Sequence, residues 1–294
     1  MRISTNYQQM MHTQEVTNAL ERVFKRSREV STGVRLHNPS DDPFAASMVI
    51  GLKSALANTS QYLKNIGVVN TRLKATESAL GEITDILNEV RQMVVAGANG
   101  TTEQTARDAY VQQITRIQER LVAIGNRELV PGQYLFAGKA VTTKPFEALG
   151  GVMTYNGSAE TMDVEIRPGY IVQGSLVGEP LFTDIYSALE TIKTDMSSGD
   201  QNRLGDDDLQ LLDSLSRNVL NQRGDLGSLL QQIEATRVQL GEQSDELTRL
   251  ISDYKDADMT EAIAAYQAAQ TAYQAALAVA ASALRMSLLD YIGS

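Results

Sequence analysis

Cysteine and tryptophan are absent from this 294-residue chain, which also has only 2 histidines and 5% aromatic residues. Without cysteine there is no disulfide framework, no zinc ribbon and no thiol nucleophile. The two histidines, His12 and His37, belong to no spaced set of ligands and leave little room for a metal site or a Ser-His-Asp triad. We therefore predict no metal, no cofactor and no catalytic residue.

The charge balance is acidic, with 26 Lys and Arg against 36 Asp and Glu and a formal net charge of −10. Nucleic-acid binding depends on cations that neutralise phosphates, so this balance argues against a nucleic-acid partner. Residues 262–284 carry no charge, but alanines and interrupting glutamines dominate this run, which argues against membrane insertion. The first residues lack a long apolar segment with a small-residue cleavage site, so we predict no cleaved signal peptide.

Long helices are predicted by apolar residues that recur at alternating steps of three and four. This spacing averages 3.5 residues and places one stripe along one face of a helix, as in a coiled coil. A second stripe covers residues 110–124, and a third, at steps of seven, covers residues 212–254 with Asp206–Asp208 at its start. The first stripe is Ile66, Val69, Leu73, Thr76, Leu80, Ile83, Leu87, Val90 and Val94.

Residues 130–182 differ in composition, since glycine and proline are frequent and apolar residues alternate, as in Val164 and Ile166. Asn156-Gly157 follows Met153-Thr154-Tyr155, which predicts a hairpin with a two-residue turn. We predict a small β-rich domain here, followed by a helix from about Phe182 to Met196.

The predicted fold class is mainly α: a long antiparallel helical bundle or coiled coil with paired N- and C-terminal helices, plus a small β-rich inserted domain. Residues 1–42 and 255–294 are assigned to a terminal coiled-coil domain. Residues 43–135 and 183–254 form a helical rod domain, and residues 136–182 form the β-rich inserted domain.

The two terminal helices have one narrow apolar stripe each, which is a poor basis for an independent fold. We therefore predict that both ends order on contact with neighbouring subunits, through head-to-tail contacts that form rings or filaments. The predicted contact residues are Ile3, Tyr7, Met10, Val16, Leu20, Val23, Arg26, Arg28, Asn38, Asp41, Asp42, Asp256, Asp258, Ile263, Tyr266, Tyr273, Leu277, Leu284 and Leu288.

Two charge clusters of opposite sign accompany the breaks between helices. The basic cluster is Arg22, Lys25, Arg26, Arg28 and Arg35, and the acidic cluster is Asp253, Asp256, Asp258 and Glu261. If the terminal helices pair antiparallel, the clusters lie at the same level, so we hypothesise that they attract each other. The interleaved Glu21 and Glu29 favour a subunit contact over a nucleic-acid patch for the basic cluster.

The segment Asn38–Pro43 breaks the helical pattern. Asp42 is predicted to cap a helix whose first residue is Pro43. Two interpretations of this segment stay open, a capped turn and an intersubunit contact, and both can hold. A divalent cation at Asp41-Asp42 or at Asp206–Asp208 is disfavoured, because the glycine-containing spacing of an EF-hand is absent.

Three stretches of the sequence form a recognisable combination. The first joins Met1–Thr5 to Ser31–Arg35, Asn38–Pro43 and Ala45–Ser47. The second joins Gln133–Gly138 to Pro145-Phe146, and the third runs from Asp256–Ala262 to Ser287–Ile292. With them the chain resembles the flagellin superfamily of bacterial flagellar axial proteins, and more narrowly its hook-associated protein three family. Flagellins share the outline of the first and third stretches but usually lack the second.

The resemblance implies a non-enzymatic structural subunit of the bacterial flagellum, exported unfolded through the type III apparatus and located outside the cell at the hook–filament junction. It implies a ring of about eleven copies. This ring lies between the first hook-associated protein and the flagellin filament. The resemblance further implies an export chaperone that binds the C-terminal helix.

Two alternatives stay open. The first is a short flagellin that forms the filament itself. The second is an enzyme housed in the β-rich insert, but Asp163 and Glu165 are the only candidates there, and they alternate with apolar residues as in an ordinary strand.

Overall fold

The computed structural model describes the backbone of residues 2–292 and the side chains of residues 7 and 10–283. It divides into two compact units. Unit 1 contains Met1–Asn58 and Gln243–Ser294, and unit 2 contains Thr59–Glu242. No described helix is long and apolar enough to cross a membrane. The three-domain boundaries of the sequence analysis stay a prediction.

The chain is mainly helical, as predicted, and the helices follow the apolar stripes. They are α1 (Arg2–Thr32), α2 (Pro43–Gly97), α3 (Gln104–Gly125), α4 (Leu181–Ser198), α5 (Asp208–Lys255) and α6 (Met259–Ile292). All nine positions of the stripe from Ile66 to Val94 are buried on α2. On α5 the five stripe positions in unit 2, from Leu212 to Leu240, are buried as well. Burial thus follows the spacing read from the sequence.

The beginning of the helical segment that leads into α5 differs from the prediction. Helical backbone starts at Gln201 and passes through a π-helical turn at Arg203–Asp207 before α5. The cap is Asp200, whose Oδ1 accepts the backbone N–H groups of Asn202 and Arg203, both at 3.2 Å. Asp206–Asp208 therefore lie beyond the first turn, because the nearer Asp200 already satisfies the free amides.

The inserted region contains three separate antiparallel strand pairs. They are β1 (Glu128–Val130) with β2 (Gln133–Tyr134), β3 (Phe146–Leu149) with β4 (Val152–Tyr155), and β5 (Asp163–Arg167) with β6 (Tyr170–Gln173). The predicted hairpin turn at Asn156-Gly157 is wrong. The two-residue turn is Gly150-Gly151, with φ values of 59° and 79°, as a type I′ turn requires.

An aromatic cluster holds the insert to the helices of unit 2. The ring of Phe136 lies edge-on to that of Phe182 with centroids 4.7 Å apart, and Phe146 lies 5.0 Å from Phe182 and 5.2 Å from Tyr155. The Tyr155 hydroxyl lies 3.0 Å from the carbonyl oxygens of Phe136 and Ser158, and burial raises the pKa of Tyr155 to about 12. The Phe-Ala-Gly and Pro-Phe stretches of the sequence therefore form one core.

Glycines inside α5 have no close neighbour in the chain. An alanine Cβ at Gly224, Gly227 or Gly241 would meet nothing within 4 Å. Among the described residues, no other segment of the chain packs closely against these three positions.

Replacing Gly224 by alanine is expected to raise the free energy of unfolding by about 0.5–1 kcal/mol, because alanine loses less backbone entropy in a helix. Urea unfolding followed by circular dichroism measures this change. Gly125→Ala is the matched control, since its Cβ would lie 2.7 Å from Cδ2 of Phe146, and it should destabilise the protein. A loss of stability in Gly224→Ala would contradict the prediction.

Candidate assembly surface

The chain contains 5 phenylalanines, and they divide between the two units in an informative way. Phe136, Phe146 and Phe182 are fully buried in unit 2. Phe24 and Phe44 belong to unit 1 and are 64% and 71% exposed. Aromatic residues, phenylalanine among them, are enriched in the buried cores of protein interfaces. The segment between these two residues is therefore the candidate assembly surface.

A backbone bridge fixes this segment within unit 1. The N–H groups of Arg35 and Leu36 donate to the carbonyl of Lys255 at 2.9 and 3.1 Å, and Ala257 donates to Gly33 at 2.9 Å. Gly33 has a φ of 69°, a conformation that suits glycine and ends α1. The Arg35 side chain donates to the carbonyl of Tyr254 at 3.0 Å. These bonds join the end of α1 to the break between α5 and α6.

The turn before α2 is capped as predicted. Asp42 Oδ1 accepts the N–H of Ala45 at 3.0 Å, and α2 begins at Pro43. Asp41 Oδ2 accepts the N–H of Asn38 at 3.0 Å, and its Oδ1 lies 2.9 Å from Lys25 Nζ. The hydrogen bond from Lys25 lowers the pKa of Asp41 to about 2, and the backbone N–H of Ala45 lowers that of Asp42. Both carboxylates are thus ionised in the folded turn.

The two charge clusters do not pair with each other as hypothesised. Arg26 binds Glu29 at 2.6 Å and Arg35 lies 3.4 Å from Asp42. Asp256 accepts a hydrogen bond from Ser252, and Asp258 caps α6 through the N–H of Thr260 at 2.8 Å. These charged groups bind partners that lie closer to them. Among the described residues, neither Arg26 nor Arg28 forms an ion pair with Asp256 or Asp258.

Helices α1 and α6 pack against each other, but the covered face of α6 differs from the predicted stripe. Tyr266 and Tyr273 are half-buried, as the stripe predicts, whereas Ile263 and Leu277 are 43% and 42% exposed. The more covered face consists largely of alanines that recur at heptad spacing. It contains Ala262, Tyr266, Ala269, Tyr273, Ala276, Ala280 and Ala283. The small side chains permit close approach, and the larger apolar residues are left on an adjacent exposed face.

The other predicted contact residues divide by exposure. Val16, Leu20, Val23 and Asp42 are half-buried. Tyr7, Met10, Arg26, Arg28, Asn38, Asp41, Asp256 and Asp258 are exposed. The side chains of Ile3, Leu284 and Leu288 lie outside the described residues. Phe24 and Phe44 are absent from the predicted set, because neither fits the apolar stripes, although the scarcity of aromatic residues could have drawn attention to them.

The acidic groups of the insert have structural partners. Glu165 Oε1 accepts the N–H of Gly169 at 2.8 Å, and Asp163 Oδ1 accepts a hydrogen bond from the hydroxyl of Thr161 at 3.1 Å. Both carboxylates therefore brace local turns. Within the described part of the chain, no group of three or more His, Cys, Asp or Glu residues could hold a metal ion.

Comparison with known proteins assigns both ends of the chain. Residues 3–141 match the bacterial flagellin N-terminal helical region, and residues 209–292 match the bacterial flagellin C-terminal helical region. The chain is 28% identical to flagellar hook-associated protein 3 of Escherichia coli over 94% of each chain, and 29% identical to that of Salmonella typhimurium over 99% of each. The structure of a flagellar hook-associated protein from Vibrio parahaemolyticus has the same fold, with a TM-score of 0.67 and 19% identity, over 74% of this chain and 100% of that one.

Proposed function

Because the chain belongs to the flagellin superfamily and, within it, to the family of hook-associated protein 3, we propose that it is a structural component of the bacterial flagellum that joins the hook to the filament. Its work is mechanical and not enzymatic. The observation that supports this most directly is the pair of exposed phenylalanines, Phe24 and Phe44, on either side of the capped turn. Aromatic anchors of this kind lose their contact with water when a neighbouring subunit binds.

The proposal extends to the arrangement of the assembly. About eleven copies form a ring through head-to-tail contacts of the terminal helices. The ring contacts the first hook-associated protein on one side and flagellin on the other. An export chaperone binds α6 before assembly, and the protein is exported unfolded to its place outside the cell. In this proposal residues 1–42 and 255–294 form the terminal coiled-coil domain, residues 43–135 and 183–254 form the rod domain, and residues 136–182 form the insert.

The alternative, a short flagellin that forms the filament, has less support. The relatives named hook-associated protein 3 are 28% and 29% identical over 94% and 99% of this chain, whereas flagellin FlaB1 of Treponema pallidum is 23% identical over 96% of it. Labelling with an antibody on isolated hook–filament assemblies separates the two functions. A single band of label at the junction and a trace amount in sheared filaments are expected. Label along the whole filament, with abundant protein, would establish the flagellin alternative and overturn the proposal.

Replacing both exposed phenylalanines, in a Phe24→Ser/Phe44→Ser variant, is expected to abolish attachment of filaments while leaving the free energy of unfolding within about 1 kcal/mol of the original. Exposed side chains contribute little to the fold but can contribute several kcal/mol to an interface. Filament attachment is scored by electron microscopy, and stability by urea unfolding.

Leu149→Ser is the matched control for this variant. Leu149 is 88% exposed at the tip of the β3–β4 hairpin in unit 2, so the control loses an exposed apolar group outside the candidate surface. It should keep normal attachment. Normal attachment of the double phenylalanine variant would contradict the proposed assembly surface.

A further inference from the structure

A basic groove lies between α1 and α6 in unit 1. Arg22, Lys25 and Arg26 line it on the α1 side, alanines between residues 265 and 272 form the α6 side, and its volume is about 390 Å³. No acidic residue lines this groove. The alanines leave the backbone of α6 accessible, so a helical turn or a chain segment can approach closely. The groove therefore fits an acidic segment that has small cross-section.

The charges of the groove are only partly neutralised within the chain. Lys25 lies 2.9 Å from Asp41 and Arg26 lies 2.6 Å from Glu29. Arg22 forms no ion pair among the described residues. An unpaired guanidinium beside two further cations attracts carboxylates and repels other cations, so this surface selects its partner by charge.

The matching surface is the acidic cluster of the same unit. Asp256 and Glu261 are exposed, and neither forms an ion pair among the described residues. Intramolecular pairing of the two clusters is the obvious arrangement, and the described side chains do not adopt it. The unneutralised charges of both signs are therefore available to other copies.

We propose that the basic groove of one copy binds the acidic cluster of the next, with Arg22 facing Glu261. Each copy carries one groove and one cluster, and where these bind two different neighbours the contact repeats head to tail and generates a ring or a helical array. The proposal rests on the proposed function, because it names the contact through which the junction subunits associate. Opposite charges also steer two copies together and fix their register.

Introduced cysteines test this contact without background, since the chain has no cysteine of its own. Ala268→Cys places a thiol in the groove and Glu261→Cys places one in the acidic cluster. Within one chain the two positions are about 10 Å apart along α6. A disulfide spans at most about 7 Å between Cα atoms, so the pair cannot close inside one copy.

Mild oxidation of the purified full-length double-cysteine variant at high concentration is expected to give a ladder of trimers and larger species on a non-reducing gel. Each single-cysteine variant can form dimers at most. A double variant that stops at dimers, or stays monomeric, would overturn the proposed contact.

Exchanging the charges of Arg22 and Glu261 tests the same contact through the strength of self-association. Arg22→Glu is expected to weaken self-association, measured by sedimentation at low salt, at least about tenfold. Adding Glu261→Arg should restore it to within about threefold of the original. Arg116→Glu is the control, because Arg116 is an exposed arginine of α3 without an ion pair among the described residues, and it should leave association unchanged.

Weakening of association without rescue by Glu261→Arg would overturn the pairing, as would association that Arg22→Glu leaves unaltered. The antibody label on isolated flagella reports separately on the proposed function. A label at the junction together with a failed exchange would refute the groove contact alone, whereas label elsewhere would refute the junction role.

Discussion

Replacing Gly138 by alanine is expected to lower the free energy of unfolding by about 3–4 kcal/mol. Gly138 has a φ of 61°, which costs other residues backbone energy, and its Cβ would lie 2.7 Å from the carbonyl oxygen of Glu160 and closer still to that of Ser158. These carbonyls cannot easily move away. The N–H of Lys139 donates to Glu160 at 2.9 Å, and the N–H of Ser158 donates to Ala137 at 3.0 Å.

Gly132→Ala separates the cost of the backbone conformation from the cost of the steric contact. Gly132 has a φ of 78°, but a Cβ there would meet nothing within 4 Å, so only the backbone cost of about 1 kcal/mol applies. Urea unfolding of both variants, followed by circular dichroism, gives the difference. An equal loss in the two variants would show that the contact with the Ser158 and Glu160 carbonyls is unimportant. The loss of unfolding free energy is expected to be larger in Gly138→Ala than in Gly132→Ala, and this steric cost is the reason that glycine follows Phe136-Ala137.

Replacing Asp208 by asparagine is expected to stabilise the protein at pH 8 by on the order of 2 kcal/mol. Asp208 is buried at the start of α5, and its Oδ2 has no hydrogen-bond partner. Burial, together with the nearby carboxylate of Asp195, raises the pKa of Asp208 to about 6, while Arg203 opposes this shift. At pH 8 the folded chain must therefore hold an ionised carboxylate in an unfavourable place, and the neutral amide removes that cost.

The pH dependence has a definite sign. Because the pKa of Asp208 is higher in the folded chain than its ordinary value of 3.8, folding favours the protonated form. The stabilisation from protonation is complete below about pH 4 and is lost as the pH rises through about 6. The gain from Asp208→Asn should consequently be largest above pH 7 and small near pH 4, measured as the difference in unfolding free energy at each pH.

Asp206→Asn provides the control for this titration. Asp206 lies in the π-helical turn directly before Asp208 but is exposed, so its replacement should leave the pH profile unchanged. A gain in Asp208→Asn that is constant between pH 4 and pH 8 would contradict the assignment of the titration to this carboxyl group.

The spacing of apolar residues was enough to predict most of the helices, because a buried helix face places apolar residues at regular steps along the sequence. The stripe from Ile66 to Val94 predicted a buried face on α2, and all its positions are buried. The capped turn at Asp42 was also predictable, because capping depends on neighbours within three residues. The hairpin turn was not, since Asn156-Gly157 and Gly150-Gly151 both suit a two-residue turn and only the pairing of Phe146 with Tyr155 selects the latter.

The candidate site was predicted less completely. The sequence indicated the two helix breaks and the two charge clusters, but the hypothesis drawn from it was that the clusters attract each other. In the folded chain Lys25 and Arg26 bind Asp41 and Glu29, which are closer along the chain or on the adjoining turn. The sequence shows which charges a segment contains, whereas the distances between side chains in the folded chain decide which of them form ion pairs.

The sequence by itself determined the helices, the β-rich insert, the superfamily and the absence of cysteine chemistry, because each depends on composition, on local spacing or on short motifs. Only the tertiary structure decided that the alanine-rich face of α6 is covered while Ile263 and Leu277 are exposed, and that both phenylalanines of unit 1 face solvent. Exposure depends on which face a distant helix covers, and α1 lies more than 200 residues from α6 along the chain. The spacing of apolar residues along one helix cannot encode that choice.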